Sequence, residues 1–478
     1  MLTWGIMIVY FIGVLVLGLV AERYSRGVKE FFVAGRRLGF FVLAMTWFAT
    51  AYSGSTFIGF GGFIWKWGWA TIVYLAAETC APLLQYGLYA RKIRHIGERI
   101  DAVTLPDLLA HRYDSDTVRL LVAVITLLFS IPMMVVQYTA AGRLFEGFLG
   151  VDYVVAVVVF AGIVTVYTAL GGFLAVAWTD TLQGLIMLAG VLVLTAKSLS
   201  LIGGLSGINA AIAKIDPAMM SLPGPGNYMP PAMVFSTFLI WTFGWVGQPA
   251  LTTRFLAMRD TRTCKMALVV SALAVFLTMG LLTIPGLAAR VLFPTLASPD
   301  LAFPSLLKKL MSPLMSALFA AAVLAAAMST CDSILLVAAG AATRDIYQKV
   351  LNRSVSDEQV AKMSRVVILM IGIVTILASL KPLTLITMIM IFVTSGFGIF
   401  TIPLTFGLFW KRGTTAGAIA SLIAGEAFLL FQYFVLKFNP LGLHPYVWAL
   451  GIGIAVYVTV SLVTKPVQEE VLLVYFDK

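Results

Sequence analysis

Long apolar stretches alternate with short polar ones from one end of the chain to the other. Thirteen stretches reach or approach the ~20 apolar residues that a helix needs to cross a bilayer. They cover roughly residues 2–20, 40–64, 69–90, 119–146, 153–171, 174–198, 231–252, 266–292, 313–343, 364–380, 382–410, 415–436 and 445–463. The pattern predicts an all-α integral membrane protein with thirteen transmembrane helices.

Two of these stretches are interrupted. The second contains Ala51-Tyr52-Ser53-Gly54-Ser55-Thr56 and then Gly59-Phe60-Gly61-Gly62. Glycines and small polar residues weaken a helix at that point. The seventh contains Trp241-Thr242-Phe243-Gly244-Trp245-Val246-Gly247-Gln248-Pro249, where Pro249 lacks an N–H and clashes with the preceding turn. Irregular backbone at membrane depth is tolerated only where it is buried or lines a cavity. Each interruption opens a block of five predicted helices, 40–198 and 231–412. Five is odd, so the second block enters the membrane in the opposite sense to the first. That is the layout of an inverted-repeat transporter, whose paired broken helices mark the binding site. The repeat rests on topology and break position, because no residue-level identity links the blocks. Segment 1–39 adds a helix and an inner loop, 199–230 an outer loop, and 413–478 two further helices, all within one membrane domain over 1–478.

Composition agrees. Of 478 residues, 60% are hydrophobic and 12% charged, against about 25% charged in soluble domains. The net charge of +11 would suggest nucleic acid in a soluble protein, but its placement gives a plainer cause. No basic residue precedes the first stretch, and Ala21 runs directly into Glu22 and Arg23 with no small-residue cleavage site. This predicts a first helix with its N-terminus outside rather than a removable signal. Every second loop is then internal. Those loops hold 24 of the 33 Lys and Arg residues, including Arg23, Arg26, Arg36, Arg91, Arg94, Arg254, Arg344, Arg412 and Lys478. Such an excess is the positive-inside pattern. It places the C-terminus inside and accounts for the charge without nucleic acid.

Soluble chemistry finds little support. Cys80, Cys264 and Cys331 are far apart, as are His95, His111 and His444. No disulfide framework or transition-metal spacing results. The absence of GxxxxGK[ST] argues against an ATP-driven pump, and no nucleophile–base spacing indicates an enzyme.

Polar residues at membrane depth carry more information. Ala326, Ser329 and Thr330 fall at i, i+3 and i+4, which stacks a carbonyl and two hydroxyls on one helix face. Hard cations take oxygen ligands; the same hydroxyls also serve helix packing. Asp180, Asp332 and Glu78 lie inside apolar stretches. A charged Asp at a helix centre costs about 2.5–3.5 kcal/mol, so such residues face a cavity or a partner. They read as a cation site or proton relay, or as structural hydrogen bonds of protonated acids. Glu426, outside both blocks, reads as structural. Trp241, Trp245 and Gln248 cluster at the second interruption, and Gln137 lies deep in the fourth stretch. Aromatic walls with few polar groups suit a small organic solute. Together with Ser53, Gly54, Ser55, Thr56 and Glu78 they make the candidate solute site.

Five stretches, FFVAGRRLG (31–39), ATAYSGSTFIG (49–59), GGFLAVAWTDTLQG (171–184), GWVGQPALTTRFLAMRD (244–260) and AAMSTCDSILL (326–336), resemble the sodium:solute symporter family in residues and order. The resemblance runs from about 20 to 430. It implies a LeuT-type fold of inverted five-helix repeats, with one helix before the ten-helix core and two after it. It further implies a sodium site formed by backbone carbonyls at Ala49 and Tyr52, the Ala326 carbonyl, and the Ser329 and Thr330 hydroxyls. Some members hold a second sodium at the Asp of the WTD stretch, here Asp180, with a hydroxyl matching Ser333. Asp332 stands where some members have serine, which leaves the number of sodium ions open. Trp241 and Trp245 match solute-facing positions of proline carriers, yet Ala51 replaces the acidic residue of those carriers. AMTWFATAYSGSTFIG and Val136-Gln137 look closer to the pantothenate branch.

The expectation is therefore a sodium-coupled symporter in the plasma (inner) membrane, working as a monomer on a small solute such as pantothenate or a related carboxylate. Amino acids such as proline and short monocarboxylates are the alternatives. A proton-coupled carrier using Asp180, Asp332 or Glu78 remains open, as does a channel or solute sensor.

Overall fold

The computed structural model describes residues 2–25, 27–310, 312–381 and 386–476. Arg26, Lys478 and the start of the predicted 382–410 stretch lie outside them. The chain is 85% helical, and no strand occurs among the described residues. Helix α1 (Leu2–Glu22) leads through the short α2 (Val28–Val33) into α3 (Phe40–Ala51). The chain leaves helical geometry at 52–54 and resumes in a π-helical turn (Ser55–Phe60) and α4 (Gly61–Trp67). The first break is thus narrower than predicted, since Gly59 to Gly62 are helical. Next come α5 (Ile72–Leu84), the basic α6 (Arg91–Arg99), α7 (Leu105–Arg112), α8 (Asp116–Leu144), α9 (Tyr153–Ile202) and α10 (Gly204–Ile215). The second broken stretch is α11 (Pro231–Leu239), a π-helical turn (Ile240–Gly244) and α12 (Pro249–Ala257). Pro249 begins a new helix there, at the first position, where its missing N–H is not needed. The remainder is α13 (Thr263–Leu292), α14 (Ala302–Leu310), α15 (Pro313–Gly340) with a π-helical extension (Ala341–Leu351), α16 (Asp357–Ala378), α17 (Ile386–Gly398), α18 (Thr401–Phe409), α19 (Thr415–Phe431), α20 (Pro445–Val463) and α21 (Glu469–Phe476).

Several starts are set by side-chain caps. Ser115, Asp152 and Thr414 accept from first-turn N–H groups of α8, α9 and α19. Ser356 and Gln359 form a capping box on α16. The short α7, α10, α14 and α21 fall in segments predicted as loops or tails.

Nine helices among the described residues are long and apolar enough to cross a membrane, or ten if the bent pair Phe40–Ala51 and Ser55–Arg99 counts as one span. Their exposed faces are apolar. Ile8, Ile12, Val16 and Leu19 on α1 and Val366, Met370, Ile373 and Leu377 on α16 form outward stripes at helical spacing. Water would penalise such stripes and lipid would not. The protein is a multi-pass membrane protein.

Although α9 is hydrogen-bonded over 50 residues, it is not one pass. Tyr167 bonds to Asp332, and Asp180 meets Ser333, the next residue along, at a shared guanidinium. A straight helix would separate Tyr167 and Asp180 by about 20 Å. The chain turns back at Gly172, where φ is +58° and ψ −157°, a conformation almost confined to glycine. A Cβ there would lie 2.8 Å from the Phe31 ring and 2.9 Å from the Phe31 carbonyl oxygen. The turn falls between the predicted 153–171 and 174–198 stretches.

The connections gather at two ends. At one, Arg36 donates to the carbonyls of Gly97 and Ala102, Arg94 to those of Met258 and Arg259, and Arg112 to those of Gly407 and Trp410. At the other, Trp65 donates to the Phe293 carbonyl, Trp69 to Asn209, and Tyr153 to the Ser379 carbonyl. Between them α15 is central, with 94% of its apolar window covered.

Candidate cation and solute site

Helix α3 stops at Ala51, and Tyr52 closes it by donating its N–H to the Phe48 carbonyl. The last carbonyls of α3 therefore lack helical partners. They face α15. The Ser329 hydroxyl donates to the Ala49 carbonyl at 2.8 Å and lies 3.1 Å from the Ala326 carbonyl. The Thr330 hydroxyl donates to the Thr50 carbonyl at 3.0 Å and lies 3.4 Å from the same Ala326 oxygen. Each hydroxyl has one proton and two acceptors in reach. Three carbonyls and two hydroxyls, all buried, thus converge between α3 and α15. This is a donor set for a hard monovalent cation. No group of three or more His, Cys, Asp or Glu suited to a metal occurs among the described residues. Ala49, Ala326, Ser329 and Thr330 are brought together. The Thr50 carbonyl joins them without having been anticipated. Tyr52 stands just beyond, at the break, its hydroxyl facing Glu78.

One turn further along α15 lies a charged cluster. Arg254 and Asp180 are both 0% exposed. One terminal nitrogen of Arg254 donates to Asp180 Oδ2 at 3.0 Å, to the Ser333 hydroxyl at 2.6 Å and to the Thr50 hydroxyl. The other donates to the Ala250 carbonyl at 2.8 Å, and Nε to the Thr46 carbonyl at 3.3 Å. Thr46 also donates to Asp180. Asp332 turns aside, accepting from Tyr167 at 2.6 Å and lying 3.2 Å from the Ser333 hydroxyl. Asp180 and Ser333 therefore converge, on a guanidinium rather than on open space. The charge pattern places Arg254 in an inner loop, where basic residues collect. In the structure α12 carries it inward to the middle of the site. The signal was its place five residues after Pro249, still within the new helix.

The solute residues divide. A cavity between the second break, the end of α3, α8 and α17 is lined by Thr50, Met133, Trp245, Gln248, Thr394 and Phe397, among others. Its described lining leaves out Glu78, Gln137, Trp241 and residues 53–56. Those lie close by. A Cβ on Gly54 would be 3.2 Å from Gln137 Oε1 and 3.0 Å from the Ala327 Cβ, so the first break packs directly on α8 and α15. Ser53 and Ser55 share a hydroxyl hydrogen bond at 2.7 Å, and Thr56 accepts from the Ser53 N–H. Trp241 packs 5.8 Å from Trp245 and 6.2 Å from Tyr74. Trp245 Nε1, Gln248 Oε1 and both amide atoms of Gln137 are buried without hydrogen-bond partners. Each such atom costs about 1–3 kcal/mol if left unpaired. These unpaired atoms sit beside the two helix breaks. Glu426 is also unpaired, but sits on α19, away from this cavity.

The model of the sodium:solute symporter family matches residues 31–425. A sodium/pantothenate symporter of Escherichia coli (strain K12) is 30% identical over 431 residues, covering 90% of this chain and 89% of that protein. An osmoregulated proline transporter of Bacillus subtilis (strain 168) is 30% identical over 471 residues, 96% of this chain and 94% of that one. Among solved structures, the substrate-bound outward-open state of a Na+-coupled sialic acid symporter superposes with a TM-score of 0.85 at 21% identity, over 98% of this chain and 99% of that one. That likeness speaks for the fold, a LeuT-type arrangement. The chain belongs to the sodium:solute symporter family, and is a transporter rather than an enzyme.

Proposed function

We propose that the protein imports a small organic carboxylate, pantothenate first among candidates, together with sodium by alternating access across the cell (inner) membrane, as a monomer. One observation carries the reading. Two helix breaks, at 52–54 and 245–248, flank a cavity with unpaired polar atoms, beside five converging oxygens. Sodium takes its place among the carbonyls of Ala49 and Ala326, the Ser329 and Thr330 hydroxyls and, once the break rearranges, Tyr52. Each sodium moving through 100 mV contributes about 2.3 kcal/mol. Asp180, Ser333 and Asp332 offer a second cation position only when Arg254 withdraws from it.

In this reading thirteen helices cross the membrane, N-terminus out and C-terminus in, with inverted repeats over 40–198 and 231–412 in one domain. Three features support thirteen over ten: the turn at Gly172, the antiparallel packing of Phe63 on Tyr74, and the broken α11–α12 pass. The Arg-rich end supports the orientation.

The solute reading draws on the cavity's chemistry. Its described lining includes no charged side chain, and the N-terminus of α12 opens beside Gln248, where a carboxylate is favoured by the helix dipole. The pantothenate relative and Ala51 favour pantothenate. The equal identity of the proline relative keeps an amino acid as the second reading. Uptake of labelled pantothenate, proline and short monocarboxylates into proteoliposomes, with sodium or choline outside at fixed pH, tests this. We expect accumulation of pantothenate with sodium alone. Accumulation in choline would favour proton coupling, and equilibration without accumulation a channel or sensor.

A further inference from the structure

A second cavity runs beside the end of α15 and its extension, from Ser333 to Asp345. Over the twelve residues between them a helix rises about 18 Å. The wall is mostly apolar, with Phe32, Leu105, Phe173 and Leu336, and a few hydroxyls. Ser333 at one end donates to the Ser329 carbonyl at 2.8 Å, so the cavity begins one helical turn from the converging oxygens. Asp345 at the other end is 0% exposed. Its Oδ1 accepts from Thr104 at 2.9 Å and from Arg119 at 3.2 Å. Its Oδ2 has no hydrogen-bond partner. A fully buried carboxylate oxygen left unpaired in the wall of a cavity is an energetic deficit that a cation would remove.

The satisfied side of Asp345 belongs to a seal. Arg119 also pairs with Asp107, and Arg344 lies 3.7 Å from Asp107 and 3.2 Å from Asp357. Burial alone raises the Asp107 carboxyl, yet Arg119 and Arg344 hold it below its usual range. Asp107 thus stays ionised at neutral pH and keeps Arg119 engaged. The seal joins α7, α8 and the extension of α15, the helix that carries Ser329 and Thr330.

We propose that Asp345 is an exit station: sodium leaving the Ser329–Thr330 oxygens binds Asp345 Oδ2 before reaching the inner side. The proposal rests on the symport reading above. A cation at Oδ2 competes with Arg119 for the same carboxylate, so arrival at the station loosens the seal. Asp345 here binds the transported ion, whereas Arg119, Asp107 and Arg344 position the helices around it.

The test uses full-length protein in proteoliposomes and inhibition of uptake by internal sodium. Asp345→Asn should raise the internal sodium needed for half-inhibition about tenfold, equal to 1.4 kcal/mol and in scale with one lost contact to a charged group. External half-saturation should stay within about twofold, less than 0.5 kcal/mol. Asp345→Glu should restore the wild-type value. Arg119→Gln, which removes the competing guanidinium and keeps the carboxylate, should lower internal half-inhibition, the opposite sign to Asp345→Asn. Equal shifts in Asp345→Asn and Arg119→Gln would reduce Asp345 to a part of the seal and overturn the station. So would an unchanged Asp345→Asn. If Asp345→Asn does not reconstitute, Val337→Phe narrows the same cavity; unaltered sodium release in that variant overturns the proposal. Wild-type uptake that ignores sodium would bring down the symport reading and this inference with it, whereas a sodium-dependent wild type with an unchanged variant brings down the inference alone.

Discussion

Replacing Arg254 with methionine keeps most of the stem and deletes the guanidinium. In the wild type its three nitrogens reach five oxygens, those of Thr46, Thr50, Asp180, Ala250 and Ser333. The guanidinium carbon also lies over the Phe173 ring at 5.2 Å. Without the guanidinium, Asp180 keeps only the hydroxyls of Thr46 and Thr50. An exposed ion pair contributes roughly 0–1 kcal/mol. Here both partners are 0% exposed, and breaking one side of a buried pair costs about 3–5 kcal/mol. The larger figure applies, because both side chains are fully buried. Removing both charges relieves both desolvation penalties. Asp180→Leu with Arg254→Met should therefore unfold within about 1–2 kcal/mol of wild type. Arg254→Lys should fall between, since an ammonium has three donors and no planar fork. The assay is equilibrium unfolding of the four proteins of the cycle in detergent micelles, followed by circular dichroism. If the single losses simply add, or Arg254→Met loses less than about 1 kcal/mol, the pair is solvated and the reasoning fails.

Two further outcomes follow from the geometry. Ser329→Ala with Thr330→Ala removes both hydroxyls between α3 and α15 and should abolish sodium-dependent uptake while the protein still inserts; unchanged sodium dependence would sink the cation assignment. Gly172→Ala places a Cβ against Phe31 at a backbone conformation that costs about 1–3 kcal/mol for alanine, so its unfolding midpoint should drop, and an unchanged midpoint would mean that the turn is not held as described.

The sequence was most legible where composition and backbone chemistry act locally. Pro249 can begin a helix but not continue one, so the second break was readable from that residue alone. The first break was overestimated. Glycines at 59, 61 and 62 are compatible with helix when neighbours pack closely, and here Phe303 and Pro299 lie against Gly61 and Gly62. The i, i+3, i+4 spacing of Ala326, Ser329 and Thr330 placed their oxygens on one face, but nothing local told which helix they would meet. Arg254 was illegible for a physical reason. Near the end of an apolar run, an arginine reaches water far more often than it is buried, and only the tertiary position of Asp180, 74 residues away, makes burial tolerable. The sequence marks Gln137 by its depth and by the Val136-Gln137 resemblance; its unpaired amide appears only with Gly54 packed against it. Helices α7, α10 and α14 escaped because short helices between spans carry too few periodic positions to distinguish them from loops.

Thr50 shows why the pieces form one device. It is the second-last residue of α3, so its carbonyl is freed by the break and accepts from Thr330. Its hydroxyl meets Arg254 and Ser333. The same residue lines the solute cavity beside Trp245 and Gln248. The candidate cation oxygens, the buried ion pair and the proposed solute cavity therefore meet at a single position. In the proposed mechanism, sodium among the α3 and α15 oxygens accepts lone pairs from the Ala49 and Ala326 carbonyls, so the Ser329 and Thr330 protons must turn elsewhere. That reorientation bears on Thr50, and any shift of Thr50 changes the wall of the solute cavity. In that mechanism the coupling needs no long pathway, because the proposed sodium and solute positions adjoin one residue. A ligand shifts an equilibrium only by its differential affinity for the two states, and a shared wall is the shortest way for each ligand to sense the state the other prefers.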